Sequence, residues 1–309
     1  MRELGSVFDF TPLRTRFGEQ FYDEEPLARY TVARLGGKAE GLVRVKNLED
    51  LMFAVRWAHE SKIPWLILGG GANVLVSDAG IRGLVVINHA RNASIHPDSG
   101  IVIAEGGVNL STLARNCMAQ GLKNLEWGVN VPGTVGGAVV NNAGAHGGDM
   151  AQSLISVEIF NVPGNHTETW SVEEMHYEYR HSILKGQRGR YVVMRAKMQL
   201  EPGHDPAELN RIADEFVAHR KKTQPPGASL GSMFKNPPGD FAGRLIDAAG
   251  LKGMQIGGVQ ISPLHGNFFI NMGGGMAADY NLLIELARRT VKEKFGIELE
   301  LEVERVGDW

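Results

Sequence analysis

The sequence predicts an α+β protein that is divided into two or three domains. Its 309 residues are enough to bury a sizeable core. Amphipathic helical patterns and short apolar strand patterns follow one another along the chain. Glycine is in excess, at 39 of 309 residues against a usual share of about 7%, and the excess is clustered. Clustered glycine favours loops that approach a ligand closely over a low-complexity sequence.

Composition narrows the possible functions. The formal net charge of −3 gives no support to a nucleic-acid surface. Cys117 is the single cysteine, which excludes an intrachain disulfide and a cysteine metal cluster. No apolar run approaches the roughly 20 residues of a membrane span, and the N-terminus lacks the apolar core of a signal peptide. We therefore expect a cytoplasmic protein without a nucleic-acid or membrane partner and without a metal site.

The first third of the chain predicts an extension and a small lobe. Residues 1–29 have a weak, mixed pattern, and we expect them to pack on the body or to fold loosely. Residues 30–95 predict a lobe of strands around one helix. Asn47 caps that helix and Asp50 supports its first turn. Strands are predicted at 30–37, 42–45, 64–68, 74–76 and 84–87.

Residues 96–203 predict a second lobe. Asn109 or Ser111 caps a helix whose apolar face includes Cys117. The thiol is therefore interpreted as a small core residue rather than a nucleophile. A polar cluster at 177–182 lies between predicted strands. The predicted strands are 101–104, 156–160 and 191–196.

Residues 204–309 predict a third unit. A helix begins at Asp205-Pro206, where a cap and a proline stand in the favoured order, and runs to about residue 222. A polar loop is predicted at 224–237. Two further helices are predicted at 242–249 and 279–295. A last strand at 297–304 alternates apolar residues with glutamates.

Residues 127–149 form the segment richest in glycine, which we call the glycine-rich segment. Glycine weakens helices and Pro132 would break one, so a single regular helix is not expected. The segment is too apolar for a disordered linker. Two interpretations stay open: backbone that approaches a phosphate or heterocycle closely, or a set of tight turns between buried strands.

Gly69, Gly70 and Gly71 form a triplet directly after a buried strand. The triplet resembles a phosphate-binding turn, yet it is not a GxGxxG fingerprint because the chain resumes a strand-like pattern instead of a helix. It also lacks the Lys-Ser/Thr ending of a P-loop. A phosphate here would meet loop amides rather than a helix N-terminus. A plain turn is an equally open interpretation.

Six short segments along the chain match the motifs of one known family. The segments are LGGGANVLV at 68–76, VPGTVGGA at 131–138 with NAGA at 142–145, YRHS at 179–182, GSMFKNP at 231–237, HGNF at 265–268 and LELEV at 299–303. Together they resemble the UDP-N-acetylenolpyruvoylglucosamine reductase family, bacterial flavoenzymes of peptidoglycan precursor synthesis. They stand in the family's order and span the chain from about residue 30 to its end.

The resemblance implies a two-lobed FAD-binding domain of the vanillyl-alcohol-oxidase type and a C-terminal α+β substrate-binding domain. The corresponding ranges are an N-terminal extension at 1–29, lobes at 30–95 and 96–203, and the substrate-binding domain at 204–309. It also implies noncovalent FAD, NADPH as reductant and a UDP-sugar substrate, in a pathway that serves cell-wall biogenesis, cell shape and cell division. The implied cofactor-binding residues are Gly69, Gly70, Gly71, Ala72, Asn73, Val74, Leu75, Pro132, Gly133, Thr134, Gly136, Gly137, Asn142 and Gly144.

The resemblance further implies that Arg180, Ser232 and Glu302 are catalytic. Alternation alone does not select Glu302, since its neighbouring glutamates fit the same pattern; the family motif does. Lys235 and Asn236 are expected to meet the diphosphate of the substrate.

Three departures from the family pattern are local. Ala72 stands where serine is usual, which removes one hydroxyl contact to phosphate, and Leu301 stands where proline is common. Residues 30–34 read YTVAR where the family more often has Asn-Thr and an aromatic residue. No long insertion follows Arg180, as in the shorter subclass that lacks a tyrosine-bearing flap. Two rival functions remain: another FAD oxidase or dehydrogenase of this fold, and a nucleotide-sugar-binding protein that has lost the flavin.

Overall fold

The computed structural model describes residues 8–309, and within that range the helices follow the predicted capping signals closely. Asn47 caps α2 by accepting the Asp50 amide, and Asn109, not Ser111, caps α3. Gly296 ends α8 with a φ of +71°. The α-helices are α1 Thr11–Phe17, α2 Leu48–Glu60, α3 Leu110–Met118, α4 Val135–Asn141, α5 Met150–Ser153, α6 Pro206–Thr223, α7 Ala242–Ala248 and α8 Ala277–Phe295.

The strands are mostly short and belong to three main sheets and two small ones. They are β1 Phe21–Pro26, β2 Lys38–Val45, β3 Trp65–Leu68, β4 Val74–Val76, β5 Ile81–Asn88, β6 Ala93–His96, β7 Ile101–Glu105, β8 Gly144–Ala145, β9 Gly148–Asp149, β10 Leu154–Asn161, β11 His166–Ser171, β12 Tyr191–Gln199, β13 Ala228–Ser232, β14 Gln255–Ile256, β15 Val259–Ile261, β16 Phe268–Asn271 and β17 Glu304–Val306.

The chain divides into two compact units. The first comprises Glu40–Gly70, Gly83–Val217 and the described part of Met1–Glu24. One of its sheets has the order β1-β2-β5-β3, with β3 and β5 parallel. The other is an antiparallel sheet of order β11-β10-β12-β7-β6. Apolar side chains from α2 and from both sheets share one core, and α3 and α4 bury their apolar faces in a second core.

The second unit comprises Glu25–Ala39, Gly71–Arg82 and Ala218–Trp309. An antiparallel sheet of order β13-β16-β15-β14 forms a core with α7 and α8, centred on Phe234, Phe269 and Tyr280. The buried Tyr280 hydroxyl donates to the Phe269 carbonyl at 2.6 Å, which satisfies its polar end. A separate parallel pair joins β4 to β17. The predicted lobe boundaries at residues 95 and 203 stay predictions.

Residues 8–29 are better folded than their weak pattern suggests. They form α1 and then β1, which lies at the edge of the first sheet. Phe10 is fully buried against Gly41, where an added Cβ would stand 2.8 Å from the ring. This part of the extension packs on the body, which was one of its two expected states. Residues 1–7 of the predicted extension lie outside the described residues.

Three other predictions of secondary structure were wrong. Residues 30–37 hold the end of a 3₁₀ turn and irregular chain instead of a strand. The polar loop predicted at 224–237 contains β13, which ends at Ser232. Residues 297–303 keep the burial alternation without forming a strand, because a single bridge between Phe234 and Leu301 is their only pairing in the described chain.

Cys117 occupies the interior position that the helical pattern predicts. It is fully buried in the core that α3 shares with α4. Burial raises the pKa of the Cys117 thiol to about 12, so the reactive thiolate is scarce at neutral pH.

Candidate functional site

Gly69 and Gly70 of the triplet lie in the first unit, where they pack closely against the glycine-rich segment. A Cβ on Gly69 would stand 2.4 Å from Thr134 Oγ1. A Cβ on Gly70 would stand 2.7 Å from the Cα of Gly133. Carbon atoms pack best at about 3.5–4.0 Å, so neither position has room for a side chain. Close packing between the two loops therefore accounts for glycine at positions 69 and 70.

Gly71 belongs to the second unit and is held by residues 30–32. Its φ is +59°, and an added Cβ would stand 2.0 Å from the Tyr30 carbonyl oxygen. The Val32 amide donates to the Gly71 carbonyl at 3.0 Å. The positive φ and the close Tyr30 oxygen require glycine, and the hydrogen bond from Val32 fixes the loop that follows.

The triplet loop also presents unused hydrogen-bond donors. Among residues 8–309, no group accepts a hydrogen bond from the backbone amides of Gly70, Gly71 and Ala72. Consecutive amides of a turn form a concavity that suits an anion, including the pyrophosphate of a dinucleotide. The donor set therefore fits FAD at this loop, and the predicted strand β4 follows it directly.

The amino end of α4 gives a different result. The Val135 amide donates to the Val108 carbonyl and the Gly136 amide to the Gly106 carbonyl, both at 2.8 Å. A Cβ on Gly136 would stand 3.0 Å from that Gly106 oxygen. Both amides already donate hydrogen bonds within the protein, so they are not available to bind a phosphate. Gly136 is thus explained by close packing.

Two other members of the segment are accessible. Pro132 and Gly137 are exposed. An added Cβ on Gly137 would have only Thr134 Oγ1 near it among residues 8–309, at 3.7 Å. A ligand can approach the backbone at these positions.

The carboxyl end of α4 is closed by the polar cluster that the sequence marked at 177–182. The Tyr177 hydroxyl donates to the Val139 carbonyl at 3.0 Å, and Ser182 Oγ donates to the Val140 carbonyl at 2.6 Å. The last carbonyls of a helix have no partner within the helix. These two hydroxyls supply the missing donors. Burial and the charge of Asp149 raise the pKa of Tyr177, which keeps its proton in place for this bond.

Asn142 ends α4 in the left-handed conformation, with φ +43° and ψ +59°. Its side-chain amide donates to the Glu178 carbonyl at 3.1 Å, and its Oδ1 accepts the Ala151 amide at 3.0 Å. The side chain is buried. Asn142 thus joins the polar cluster to the glycine-rich segment, and sequence reasoning missed this function because it depends on a left-handed helix end.

Arg180 lies on the turn that Asn142 holds. Its Nη2 donates to the Gly144 carbonyl at 2.6 Å and its Nη1 to the Asn142 carbonyl at 3.4 Å. Its φ is +56°, which is uncommon for a residue with a side chain. Lys185 Nζ donates to the Arg180 carbonyl at 3.1 Å. A strained, multiply bonded arginine is typical of a functional site. The structure therefore brings Asn142, Gly144 and Arg180 together.

Ser232 and Glu302 are brought near one another within the second unit. The Glu302 amide donates to the carbonyl of Met233, the residue after Ser232, at 3.0 Å. The Lys235 amide donates to the Glu300 carbonyl at 2.8 Å. Ser232 itself ends β13 opposite Phe268, after an irregularity in the strand pairing. Both predicted catalytic side chains are partly exposed, as reaction with a substrate requires.

The remaining predicted site residues of this unit already have protein partners. Lys235 Nζ lies 2.5 Å from Glu300 Oε1. Asn236 Oδ1 accepts the Ala242 amide at the start of α7. Val74 and Leu75 pair with β17. Leu75 is buried in the core of this unit, so contact between its side chain and a cofactor is not expected.

The described residues contain no cluster of metal-ligating side chains and no helix suited to crossing a membrane. Residues 8–309 hold no group of three or more His, Cys, Asp or Glu side chains placed to bind a metal. None of the helices in the same range has the length and apolar composition of a membrane span.

Two family models match the chain. Residues 39–169 match the FAD binding domain, and residues 222–306 match the C-terminal domain of UDP-N-acetylenolpyruvoylglucosamine reductase. These matches cover the triplet loop, the glycine-rich segment and both predicted catalytic residues of the second unit. The α+β fold class is confirmed, with an FAD-binding domain followed by a separate C-terminal domain.

Individual relatives agree over most of their length. The chain is 44% identical over 286 residues to UDP-N-acetylenolpyruvoylglucosamine reductase of a Synechococcus species, covering 91% of this chain and 92% of the relative. It is 42% identical over 285 residues to that of Rubrobacter xylanophilus, covering 92% and 95%. The crystal structure of the reductase from Thermus caldophilus superposes with a TM-score of 0.77 at 34% identity, covering 92% of this chain and 97% of that one.

Proposed function

The chain belongs to the UDP-N-acetylenolpyruvoylglucosamine reductase family, and from this premise we propose how its own residues carry out the family's reaction. The enzyme uses NADPH and FAD to reduce UDP-N-acetylglucosamine enolpyruvate to UDP-N-acetylmuramate, in peptidoglycan precursor synthesis. The reaction adds a hydride and a proton, which together equal two electrons and two protons, across the enolpyruvyl double bond. The substrate is a UDP-sugar.

Two-electron transfer between NADPH and the substrate, which no amino-acid side chain provides, would be supplied by bound FAD. The unused amides of Gly70, Gly71 and Ala72 would bind its pyrophosphate. Pro132 and Gly137 leave the backbone accessible to the remainder of the cofactor. We propose that Gly69, Gly133, Thr134 and Gly136 shape this site through packing, not through contact with phosphate.

Arg180 stabilises the substrate carboxylate. Negative charge spreads into that carboxylate as the double bond is reduced, so a fixed cation there lowers the barrier. The planar guanidinium matches carboxylate geometry. Its bonds to the Asn142 and Gly144 carbonyls hold it in place before the substrate arrives, so little reorganisation is needed during the reaction.

Ser232 delivers a proton to the inner carbon of the former double bond. It follows Gly231, whose φ of +76° turns the chain at the end of β13. Glu302 holds or shares a proton when it acts, on the neighbouring segment. Lys235 is placed to exchange its ion pair with Glu300 for the diphosphate of the substrate. Asn236 contributes to that contact by fixing the loop at the start of α7.

One observation carries this assignment: residues 233–235 pair with residues 300–302, which places the Ser232 segment beside Glu302 across a long stretch of sequence. A nucleotide-sugar-binding protein without flavin would have no need of this pairing together with a preorganised Arg180. A flavin absorbance spectrum of the purified protein excludes that rival directly.

Ser232→Ala tests the mechanism. The variant should be reduced by NADPH at nearly the normal rate, because Ser232 takes no part in that step. Reoxidation by the enolpyruvyl substrate should slow at least about 10²-fold, the usual loss for a positioned general acid. Stopped-flow spectroscopy separates the two half-reactions by the flavin colour.

Ser229→Ala is the matched control, since Ser229 lies on the same strand β13. It should leave both half-reactions nearly unchanged. Equal slowing of both steps in Ser232→Ala would assign the residue to the flavin pocket instead. The wild type is first reduced by NADPH under anaerobic conditions and then given the enolpyruvyl substrate. If the flavin were reoxidised by oxygen but not by this substrate, an oxidase would be favoured.

A cytoplasmic location, without nucleic-acid or membrane partners, is part of the proposal and is supported by the use of NADPH.

A further inference from the structure

Asn73 belongs to the triplet loop by sequence, yet its contacts are with the segment that carries Glu302. Its side-chain amide donates to the Glu302 carbonyl at 3.2 Å. Its own carbonyl accepts the Glu304 amide at 2.9 Å. Both bonds lie within the second unit, and the first of them joins positions 229 residues apart. We propose that Asn73 is a positioning residue for Glu302 in substrate reduction.

The Glu302 peptide is fixed from two sides. Its amide donates to the Met233 carbonyl, next to Ser232, and its carbonyl accepts from Asn73. Val303 then enters the core with 4% of its surface exposed. The backbone of Glu302 is therefore constrained before and after its Cα, so the direction of its carboxyl depends on both hydrogen bonds. Loss of one lets the peptide rotate.

Asn73 can serve as an anchor because it is itself held firmly. Gly71, two residues earlier, is tied to Val32 by a hydrogen bond and packs on the Tyr30 carbonyl. Val74, the next residue, begins β4, which pairs in parallel with β17 in the register Val74 to Glu304. The side chain therefore projects from a short, doubly fixed segment. Because its own backbone is held in place, Asn73 determines where the Glu302 peptide lies instead of moving with it.

The inference deepens the proposed function, since it assigns a means of placing Glu302 next to the Ser232 segment. A displacement of about 1 Å can cost roughly 10²-fold in rate. The role differs from flavin binding, which would affect both half-reactions. It also differs from a general effect on stability, which would not depend on the Glu302 side chain. Those differences define the experiment.

The test compares Asn73→Ala, Glu302→Gln and the double variant, each with FAD bound, by anaerobic stopped-flow. We expect Asn73→Ala to be reduced by NADPH within about twofold of the wild-type rate and to be reoxidised by the enolpyruvyl substrate at least about tenfold more slowly. The double variant should be no slower than Glu302→Gln alone, because both changes act on one group.

Asn271→Ala is the matched control. Asn271 also anchors distant backbone in the second unit, where its side-chain amide donates to the Ala33 carbonyl at 3.0 Å. It lies outside the proposed catalytic segments, so it should reduce thermal stability while leaving the pH profile and rate of the second half-reaction near wild type. A similar loss of that rate in Asn271→Ala would show that the effect in Asn73→Ala is merely structural.

Three further results would overturn the inference. Multiplicative slowing in the double variant would mean that Asn73 acts independently of Glu302. Slower reduction by NADPH would assign Asn73 to the flavin site. An unchanged second half-reaction in Glu302→Gln would remove Glu302 from the mechanism, and the positioning role with it. The first two results leave the proposed function intact, whereas the third does not.

Discussion

Gly70→Ala should destabilise the protein in the absence of any cofactor. The new methyl carbon would stand 2.7 Å from the Cα of Gly133, and carbon atoms prefer about 3.5–4.0 Å. Two backbone segments would have to separate by about 1 Å, which corresponds to an overpacking cost of about 1–3 kcal/mol. For a chain of 309 residues such a loss lowers Tm by roughly 1.5–5 °C.

Gly137→Ala provides the contrast, because its added carbon meets only Thr134 Oγ1 among residues 8–309, at 3.7 Å. Replacing an interior helical glycine with alanine stabilises by up to about 1 kcal/mol, so the Tm of its apoprotein should be equal or higher. Its FAD affinity should fall if the methyl group enters the cofactor space. Calorimetry of both apoproteins and FAD titrations measure these quantities. If the apoprotein of Gly70→Ala had the same Tm as the wild-type apoprotein, the packing argument would be refuted.

Three further outcomes are expected. Lys185→Met should slow the substrate half-reaction about tenfold, because the strained Arg180 turn loses its ammonium donor; unchanged stopped-flow rates would contradict this. Asp78→Ala should lower the free energy of unfolding by about 1–2 kcal/mol, since its carboxylate accepts the amides of Ala277 and Ala278 at the start of α8; urea denaturation would measure the loss, and an unchanged midpoint would count against it. Acid precipitation should release all of the flavin, whereas colour retained in the pellet would show a covalent bond.

Helices with local end signals could be predicted from the sequence. Asn47 and Asn109 cap α2 and α3 through their own side chains, and Gly296 ends α8. The information for such boundaries lies within four residues of the helix end. Buried strands such as β5 could also be predicted, because a short apolar run is recognised from its own sequence without knowledge of the strand it pairs with.

Contacts between distant segments could not be predicted in the same way. The alternation at 297–303 correctly places Leu299 and Val303 inside, but within residues 8–309 the neighbouring segment 233–235 makes a single bridge to it, at Leu301, and no continuous ladder forms. Gly136 looked like a ligand-binding glycine, whereas its close neighbour is the Gly106 backbone. The family motif selected Arg180, but the bonds that hold it come from the Asn142 and Gly144 carbonyls. Backbone acceptors of this kind leave no mark on composition.

The closure of α4 by two hydroxyls has a consequence for how the protein opens. A helix of seven residues is far shorter than the roughly 12–15 residues that persist alone in water. It therefore depends on the donors of Tyr177 and Ser182, and the turn with Arg180 lies between those two residues. Hydrogen exchange should show the amides of α4 and of residues 177–182 opening with one shared free energy, as a single cooperative segment. Local unfolding of this helix would also release Arg180 from its fixed position. The local unfolding equilibrium therefore sets an upper limit on the fraction of molecules that can bind and reduce the substrate.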